Sequence, residues 1–194
     1  MTDTREPALR AWVSQQLDGA LIAEWSTIAG DASTRRYFRA VAGDASFVAM
    51  DAPPDTEKNA EFRQVRGILD DAGLCVPAEL AVDMDRGFLL LGDLGNRLLL
   101  NELDAGTVTR LYGAALSTLS ELQTVDCSGL PAYSEEVLLE ELGRFGEWFC
   151  AALLGRPPGH DSALLEDFSG ELVSSALEQP VVFVHRDYHR RNLL

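Results

Sequence analysis

The spacing of apolar residues changes once along the chain, and this change limits the possible folds more than any other feature. In the first half, apolar residues form short segments rich in β-branched and aromatic side chains, at 21–28, 36–41, 47–50, 79–83 and 87–91. Turn residues separate these segments, which is the pattern of consecutive antiparallel strands. From Asn101 onward, apolar residues recur at helical spacing. The order predicts an α+β fold in which a sheet-rich lobe precedes a helical lobe.

Two helices are also predicted in the first half. One precedes the first strand and ends before Asp18-Gly19, and the other begins near Thr56 and ends at Gly73. In the second half, apolar stripes predict helices over about 108–122, 138–153 and 165–176. The continuous apolar run VVFV at 181–184 predicts a short buried strand.

Charge and apolar run length exclude two classes of function. The 194 residues include 16 basic and 31 acidic ones, a net charge of −15, whereas contacts with nucleic acid need clustered Lys and Arg. The longest apolar runs are far shorter than the ~20 residues of a membrane-spanning helix. The polar start, MTDTREPALRAW, lacks the apolar core of a signal peptide. We therefore expect a cytoplasmic protein that binds neither nucleic acid nor membrane.

A polar loop, HRDYHRRN at 185–192, follows the apolar run directly. An aspartate followed five residues later by an asparagine is the spacing of a kinase catalytic loop. Phosphoryl transfer needs a carboxylate that orients the accepting hydroxyl and takes its proton, and an oxygen ligand that holds Mg²⁺ against the phosphates. Asp187 suits the first role and Asn192 the second, with His185 as a structural residue of the loop.

Two other interpretations of this loop stay open at this point. Its His, Asp and Asn residues could occur together by chance in an ordinary polar loop. A zinc site could be formed by His185, Asp187 and His189, although their side chains would have to turn inward from a loop that also carries arginines. The position of the loop, behind an apolar run and a sheet-then-helix chain, favours the kinase interpretation.

Four segments resemble those of the aminoglycoside phosphotransferase-like kinases. They are GDASTRRYFR at 30–39, VAMDAPP at 48–54, GFLLLGDLG at 87–95 and the loop at 185–192. Within this family, the chain looks most like the branch of bacterial kinases that act on N-acetylmuramate and N-acetylglucosamine. The resemblance implies a protein-kinase-like two-lobe fold, with an antiparallel-sheet nucleotide-binding N-lobe at 1–91, a hinge at 92–95 and an incomplete helical C-lobe at 96–194.

The same resemblance implies roles for particular residues. The hairpin loop over the ATP phosphates, the third strand and the hinge backbone would bind nucleotide, through Asp31, Ala32, Ser33, Thr34, Arg35, Arg36, Met50, Gly92, Asp93 and Leu94. Substrate binding or support of the catalytic loop would come from His185, His189 and Arg191. His189 matches a histidine that is common in kinases of small molecules, which favours a small-molecule acceptor.

The chain departs from the family pattern in its third strand, where most kinases carry a lysine that pairs with the nucleotide phosphates. Met50 occupies that position, and the carboxylate of Asp51 beside it is expected to repel phosphate. The candidate replacements are Arg35, Arg36 and Lys58, which is the only lysine in the chain. The acidic partner of such a cation would be Glu57 or Glu61.

A second departure follows the catalytic loop. Family members continue with a strand and an aspartate that holds a second Mg²⁺, whereas this sequence stops two residues after Asn192. We therefore expect a C-terminally truncated chain that binds nucleotide and turns over poorly or not at all. Apolar surface left uncovered would favour self-association.

The function that the resemblance implies is ATP- and Mg²⁺-dependent phosphorylation of a small hydroxylated substrate. For an amino sugar such as N-acetylmuramate or N-acetylglucosamine, the phosphate would go to the anomeric hydroxyl, in peptidoglycan recycling. One alternative is phosphorylation of an aminoglycoside, a polycation that the acidic chain would attract. The other is a non-catalytic nucleotide-binding module, a pseudokinase, which both departures favour.

Overall fold

The computed structural model describes residues 4–28, 34–157, 159 and 162–194. The chain divides into two compact units. One unit consists of the described residues of Met1–Val125 together with His185–Leu194, and it contains the sheet and the loop 185–192. The other consists of those of Asp126–Val184 and is helical.

The first unit is built on a five-stranded antiparallel sheet in the order β1-β2-β3-β5-β4. Its strands are β1 (Ile22–Ile28), β2 (Arg36–Ala42), β3 (Ala45–Asp51), β4 (Glu79–Asp83) and β5 (Phe88–Gly92). Its helices are α1 (Arg5–Gln16), α2 (Asn59–Asp71), α3 (Leu99–Glu102) and α4 (Val108–Leu122). The predicted α+β class is confirmed, as are the five strands and the two early helices.

Buried side chains cover both faces of this sheet, because successive residues of a strand point to opposite faces. One cluster joins α1 to the sheet and includes Leu9, Trp12, Val13, Phe38, Ala49 and Leu90. The second cluster lies on the other face and includes Met50, Leu89 and Leu91, with Phe62 of α2 packed against it. The sheet is therefore enclosed between α1 and α2, the arrangement that places the candidate site described below.

The second unit contains α5 (Glu135–Arg144), a π-helical segment (Phe145–Leu153) that continues it, and α6 (Ser162–Leu177). The helices predicted for this region are confirmed, whereas the change from α-helix to π-helix at Phe145 was not predicted. Several large apolar side chains of this unit are exposed, among them Trp148, Leu153 and Phe168. In the described part of the chain, no helix is both long and apolar enough to cross a membrane.

The prediction of a strand at 181–184 is wrong. Phe183 is buried, but Val181 is 94% and Val184 50% exposed, and the segment has no regular secondary structure. A strand needs a neighbour whose backbone N–H and C=O groups pair with its own. No strand of the described residues offers that pairing here, so hydrophobicity alone does not make the segment a strand.

Gly87 allows the β4–β5 turn to pack closely against Ala52, which follows β3. Its φ is +70°, and a Cβ there would lie 1.9 Å from the carbonyl oxygen of Ala52. Gly43 has a similar φ of +61° with open space around it, so it is a matched control. We expect Gly43→Ala to cost about 1 kcal/mol of unfolding free energy, for the left-handed backbone alone. Gly87→Ala should cost about 2–4 kcal/mol, because backbone atoms must also move apart.

Urea denaturation of the two variants measures this difference. Equal losses of unfolding free energy would show that the turn does not pack against Ala52 as described.

Candidate active site

The loop 185–192 brings Asp187, His189 and Asn192 together. Asp187 Oδ1 lies 3.0 Å from His189 Nε2, and Asp187 Oδ2 accepts a hydrogen bond of 2.7 Å from Asn192 Nδ2. The same Asn192 nitrogen donates to the backbone carbonyl of Asp187 at 3.0 Å. Both carboxylate oxygens are thus oriented by neighbours, while the Asp187 side chain is still 59% exposed and accessible to a substrate.

His189 is fixed in turn by the backbone of the loop. Its Nδ1 accepts a hydrogen bond of 3.1 Å from the N–H of Arg191. In a neutral imidazole the proton is then on Nε2, which is the nitrogen that faces Asp187. His189 therefore donates to the carboxylate and acts as its positioning residue.

Hydrogen bonds to α3 and α4 hold the loop in place. The N–H of Leu99 donates to the carbonyl of Leu193 at 2.8 Å, and the N–H of Leu100 donates to that of Arg190 at 2.9 Å. The Tyr188 hydroxyl donates to the carbonyl of Ala115 at 2.6 Å. These bonds use backbone groups of the helices, so the position of the loop depends little on the helical side chains.

His185 and Arg186 complete the loop. The His185 ring packs edge-on against that of Tyr188, with centroids 5.4 Å apart. Partial burial lowers the pKa of His185, so its imidazole is neutral at physiological pH. Arg186 turns the chain with a φ of +69°, in the left-handed region that few residues other than glycine and asparagine adopt.

A cavity of about 730 Å³ lies in the first unit, between the sheet, α2 and the segment that follows β5. Its walls are mainly apolar, and they include Val48, Phe62, Val65, Leu69, Leu91 and Leu98. Arg191 of the loop 185–192 and Leu194, which lies beyond it, also line the cavity. The volume and character are those of a small-molecule site and suit a nucleotide. Of the residues predicted to bind nucleotide or substrate, those that line the cavity are Arg35, Gly92, Asp93, Leu94 and Arg191.

Thr34 and Met50, which were also predicted to bind nucleotide, do not line this cavity. Thr34 is exposed, and its hydroxyl donates to the carboxylate of Glu57. Met50 is on the cavity side of the sheet, but its side chain is fully buried in the cluster beneath Tyr37 and Phe62, so it is not placed to touch a ligand. Asp31, Ala32 and Ser33 lie outside the described residues.

Arg36 and Asp51 form a cluster on the opposite side of β2. The Asp51 carboxylate is fully buried; Arg36 donates to its Oδ2, and Arg5 of α1 donates to its Oδ1 at 2.8 Å. Two guanidinium groups thus neutralise this carboxylate. The expectation that Asp51 repels phosphate is therefore wrong, because its charge is compensated and does not line the cavity.

The segment predicted as a hinge, 92–95, is held by Arg39, a residue for which the sequence predicted no role. Arg39 Nε donates to Asp93 Oδ2 at 2.6 Å, and its Nη2 donates to Asp93 Oδ1 at 3.0 Å and to the carbonyl of Gly95 at 2.8 Å. Arg39 and Asp93 are 54 residues apart, so no local motif joins them. The one signal is strand alternation, which places Arg39 on the same face as Tyr37.

Some backbone N–H groups of the segment 92–95 already donate hydrogen bonds within the protein. The N–H of Gly92 donates to the carbonyl of Ala78 at 2.8 Å, which continues the pairing of β5 with the segment before β4. The N–H of Gly95 is also paired within the protein, because it donates to Asp93 Oδ1 at 2.9 Å.

In the described part of the chain, no group of three or more His, Cys, Asp or Glu side chains could hold a metal ion. The zinc site considered for the loop is therefore not formed. Mg²⁺, by contrast, is commonly held by one or two protein oxygens and completes its shell with phosphates and water. Asn192 suits this pattern because its Nδ2 faces Asp187, which leaves its Oδ1 for an ion.

The fold and the spacing of Asp187 and Asn192 match the predicted family, and comparison with known families agrees. Residues 24–194 match the phosphotransferase enzyme family, and the chain belongs to it. The family is protein-kinase-like, so the predicted relationship is confirmed.

Three relatives show which members of this family the chain resembles. The chain is 44% identical over 203 residues to the N-acetylmuramate/N-acetylglucosamine kinase of Pseudomonas aeruginosa, covering 99% of this chain and 60% of that protein. It is 38% identical to the kinase of the same name from Pseudomonas putida, with the same coverage. A third, from Neisseria meningitidis, is 40% identical over 86% of this chain and 51% of its own length. The chain thus spans about 60% of the length of the first two relatives.

The Arg39–Asp93 pair predicts a specific loss of stability in acid. Hydrogen bonds from Arg39 lower the pKa of Asp93 below its ordinary value of 3.8, so the folded protein binds this proton less tightly than the unfolded chain does. The stabilisation is complete at neutral pH and is lost as the pH falls below about 4 and through the folded pKa.

Asp93→Asn removes this titration, and Arg39→Gln removes its cause. Both should make the unfolding free energy less dependent on pH between about 2 and 5, measured by urea denaturation. An unchanged pH dependence in both variants would contradict a stabilising role for the pair.

Proposed function

We propose that the chain catalyses transfer of a phosphoryl group from ATP to a hydroxyl group of an amino sugar of the N-acetylmuramate or N-acetylglucosamine type. The observation that carries this proposal is the exposed Asp187 carboxylate, oriented by His189 and Asn192. Arg191 of the same loop and Leu194, which lies beyond the loop, also line the nucleotide-sized cavity. The names of relatives 38–44% identical to this chain support the choice of substrate.

Each residue of the site has a separate task in this reaction. Asp187 orients the attacking hydroxyl and accepts its proton, and His189 holds the carboxylate in the required direction. Asn192 offers Oδ1 to Mg²⁺. The apolar walls of the cavity surround the adenine ring, and the backbone groups of Asp93 and Leu94 bind its edge. Bound Mg²⁺ neutralises charge on the phosphates, which makes the terminal phosphoryl group easier to transfer.

The anomeric hydroxyl is the proposed acceptor. The product is then a sugar 1-phosphate, which has no free reducing end. We place the reaction in the cytoplasm, where it would return sugars from peptidoglycan turnover to metabolism.

Asp187→Asn tests the catalytic assignment. Because the amide cannot accept the proton, kcat should fall by about 10²- to 10⁴-fold, with little change in the affinity for nucleotide. The measurement is ADP release in the presence of Mg²⁺ and each sugar. Asp85→Asn, in the exposed β4–β5 turn, is the matched control and should keep the activity of the unmodified chain. Equal activity of Asp187→Asn and this control would exclude Asp187 as the base.

The same assay compares acceptors. N-acetylmuramate and N-acetylglucosamine should release ADP and lose reducing power as they are consumed. Release with kanamycin alone would favour an aminoglycoside substrate. Nucleotide binding without ADP release from any acceptor would favour a non-catalytic nucleotide-binding module.

We further propose that the chain self-associates through its helical unit. Trp148, Leu153 and Phe168 are 63%, 70% and 60% exposed, and large exposed apolar side chains of this kind promote association. Sedimentation velocity should show species larger than a monomer as the concentration rises. The double variant Trp148→Ser, Phe168→Ser should shift the distribution toward monomer, and a concentration-independent monomer of the unmodified chain would contradict the proposal.

A further inference from the structure

The described residues that line the 730 Å³ cavity include two acidic ones, Glu61 and Asp93. Glu61 is exposed in the first turn of α2, whereas Asp93 follows β5 directly, in the segment to which the proposed function assigns the base. Hydrogen bonds from Arg39 lower the pKa of Asp93, so its carboxylate is charged at neutral pH and can only accept hydrogen bonds. The partners of this carboxylate therefore affect which base can bind beside it.

Arg39 reaches Asp93 across an intervening strand. Arg39 of β2 is paired with Val48 of β3, and Val48 is paired with Leu91 of β5. These three residues line the cavity, as does Asp93, which follows Leu91 by two residues. Because alternate residues of a strand point to the same face, the Arg39 side chain crosses β3 on the cavity side of the sheet.

Both carboxylate oxygens of Asp93 are occupied within the protein. Oδ2 accepts a hydrogen bond from Arg39 Nε at 2.6 Å, and Oδ1 accepts from Arg39 Nη2 at 3.0 Å and from the N–H of Gly95 at 2.9 Å. The side chain of Asp93 is only 3% exposed, whereas that of Arg39 is 25% exposed. Arg39 thus neutralises the carboxylate and also withholds it from a ligand in the cavity.

Adenine and guanine differ in the groups that would meet such a carboxylate if it were free. Guanine presents two adjacent donors, N1–H and the 2-amino group, which match the two oxygens of a carboxylate. Adenine presents one donor, the 6-amino group, beside N1, which is an acceptor and would repel a carboxylate oxygen. A free carboxylate at this place would therefore favour guanine, and an occupied one removes that advantage.

We propose that Arg39 is a specificity-determining residue that makes the cavity select adenine over guanine, because it withholds both oxygens of Asp93 from the donors of a guanine base. The ligand class is an adenine nucleotide. Selectivity of this kind comes from closing off a group that would bind the wrong base. The inference rests on the proposed function, since it requires that the base lie against the segment 92–95.

The test compares two nucleotides that differ only in the base. Isothermal titration measures the Kd of ADP and of GDP, each with Mg²⁺, for the unmodified chain and for Arg39→Met. The unmodified chain should bind ADP at least about tenfold more tightly than GDP. Arg39→Met frees the carboxylate and should change the ratio of the two constants by about 10- to 100-fold in favour of GDP. A merely structural role of Arg39 would instead weaken both nucleotides equally and leave the ratio unchanged.

Arg63→Met is the matched control. Arg63 donates through Nε and Nη2 to both oxygens of Glu79, each at 2.7 Å, so it forms the same kind of pair, but neither residue lines the cavity. This variant should change the ratio by less than about twofold. The double variant Arg39→Met, Asp93→Asn should lose the gain in GDP affinity, because an amide offers one acceptor and one donor. A gain that persists in the double variant would come from the space vacated by Arg39 and would overturn the proposal.

Arg39→Lys keeps the proposal testable if Arg39→Met does not fold, as judged by circular dichroism. The lysine keeps the charge, but its ammonium group lacks the planar pair of donors that occupies both oxygens. The ratio should therefore shift toward GDP, by less than in Arg39→Met. A ratio unchanged in Arg39→Lys would then overturn the proposal.

The remaining outcomes separate this inference from the proposed function. A ratio unchanged in Arg39→Met, or equal affinities of the unmodified chain for ADP and GDP, would overturn selection by Arg39 while nucleotide binding stands. If the unmodified chain binds neither ADP nor GDP, the proposed function fails, and selection by Arg39 fails with it.

Discussion

Asp51 ends β3 with a carboxylate that is fully buried, and the arrangement of the first unit depends on its two arginine partners. Arg5 comes from α1 and Arg36 from the start of β2, so one carboxylate joins a helix to two strands. Arg5 also donates to the carbonyl of Arg86 at 2.7 Å, which adds the β4–β5 turn to the same cluster. A buried carboxylate without these partners would be strongly unfavourable, so the pairs specify where α1 lies on the sheet.

α1 packs on one face of the sheet, and the 730 Å³ cavity lies on the other face. β2 shows this division most clearly, because Phe38 packs toward α1 while Tyr37 lines the cavity. The charged residues of β2 divide in the same way: Arg36 stabilises the packing of α1, and Arg39 holds the hinge through Asp93. A single strand thus supplies core, hinge support and cavity wall.

The loop 185–192 is organised differently, since most of its contacts are local. Asp187, His189 and Asn192 orient one another within six residues, and the backbone of the same loop selects the His189 tautomer. The loop needs the rest of the fold only for its position, which backbone bonds to α3 and the Tyr188 hydroxyl provide. Because the contacts are local, the spacing of Asp187 and Asn192 could be recognised from the sequence at 185–192.

Features that depend on a few neighbouring residues were accessible from the sequence: the alternation of the five strands, the helical stripes and the spacing between Asp187 and Asn192. Features that depend on distant partners were not. The pairs Arg5–Asp51 and Arg39–Asp93 join residues 46 and 54 positions apart, and they form because the strand order brings their elements together. The apolar run 181–184 is the converse case, since its composition suits a strand but the described residues supply no pairing partner. Periodicity is a property of the local backbone, whereas ion pairing, strand pairing and burial depend on which surfaces the folded chain brings into contact.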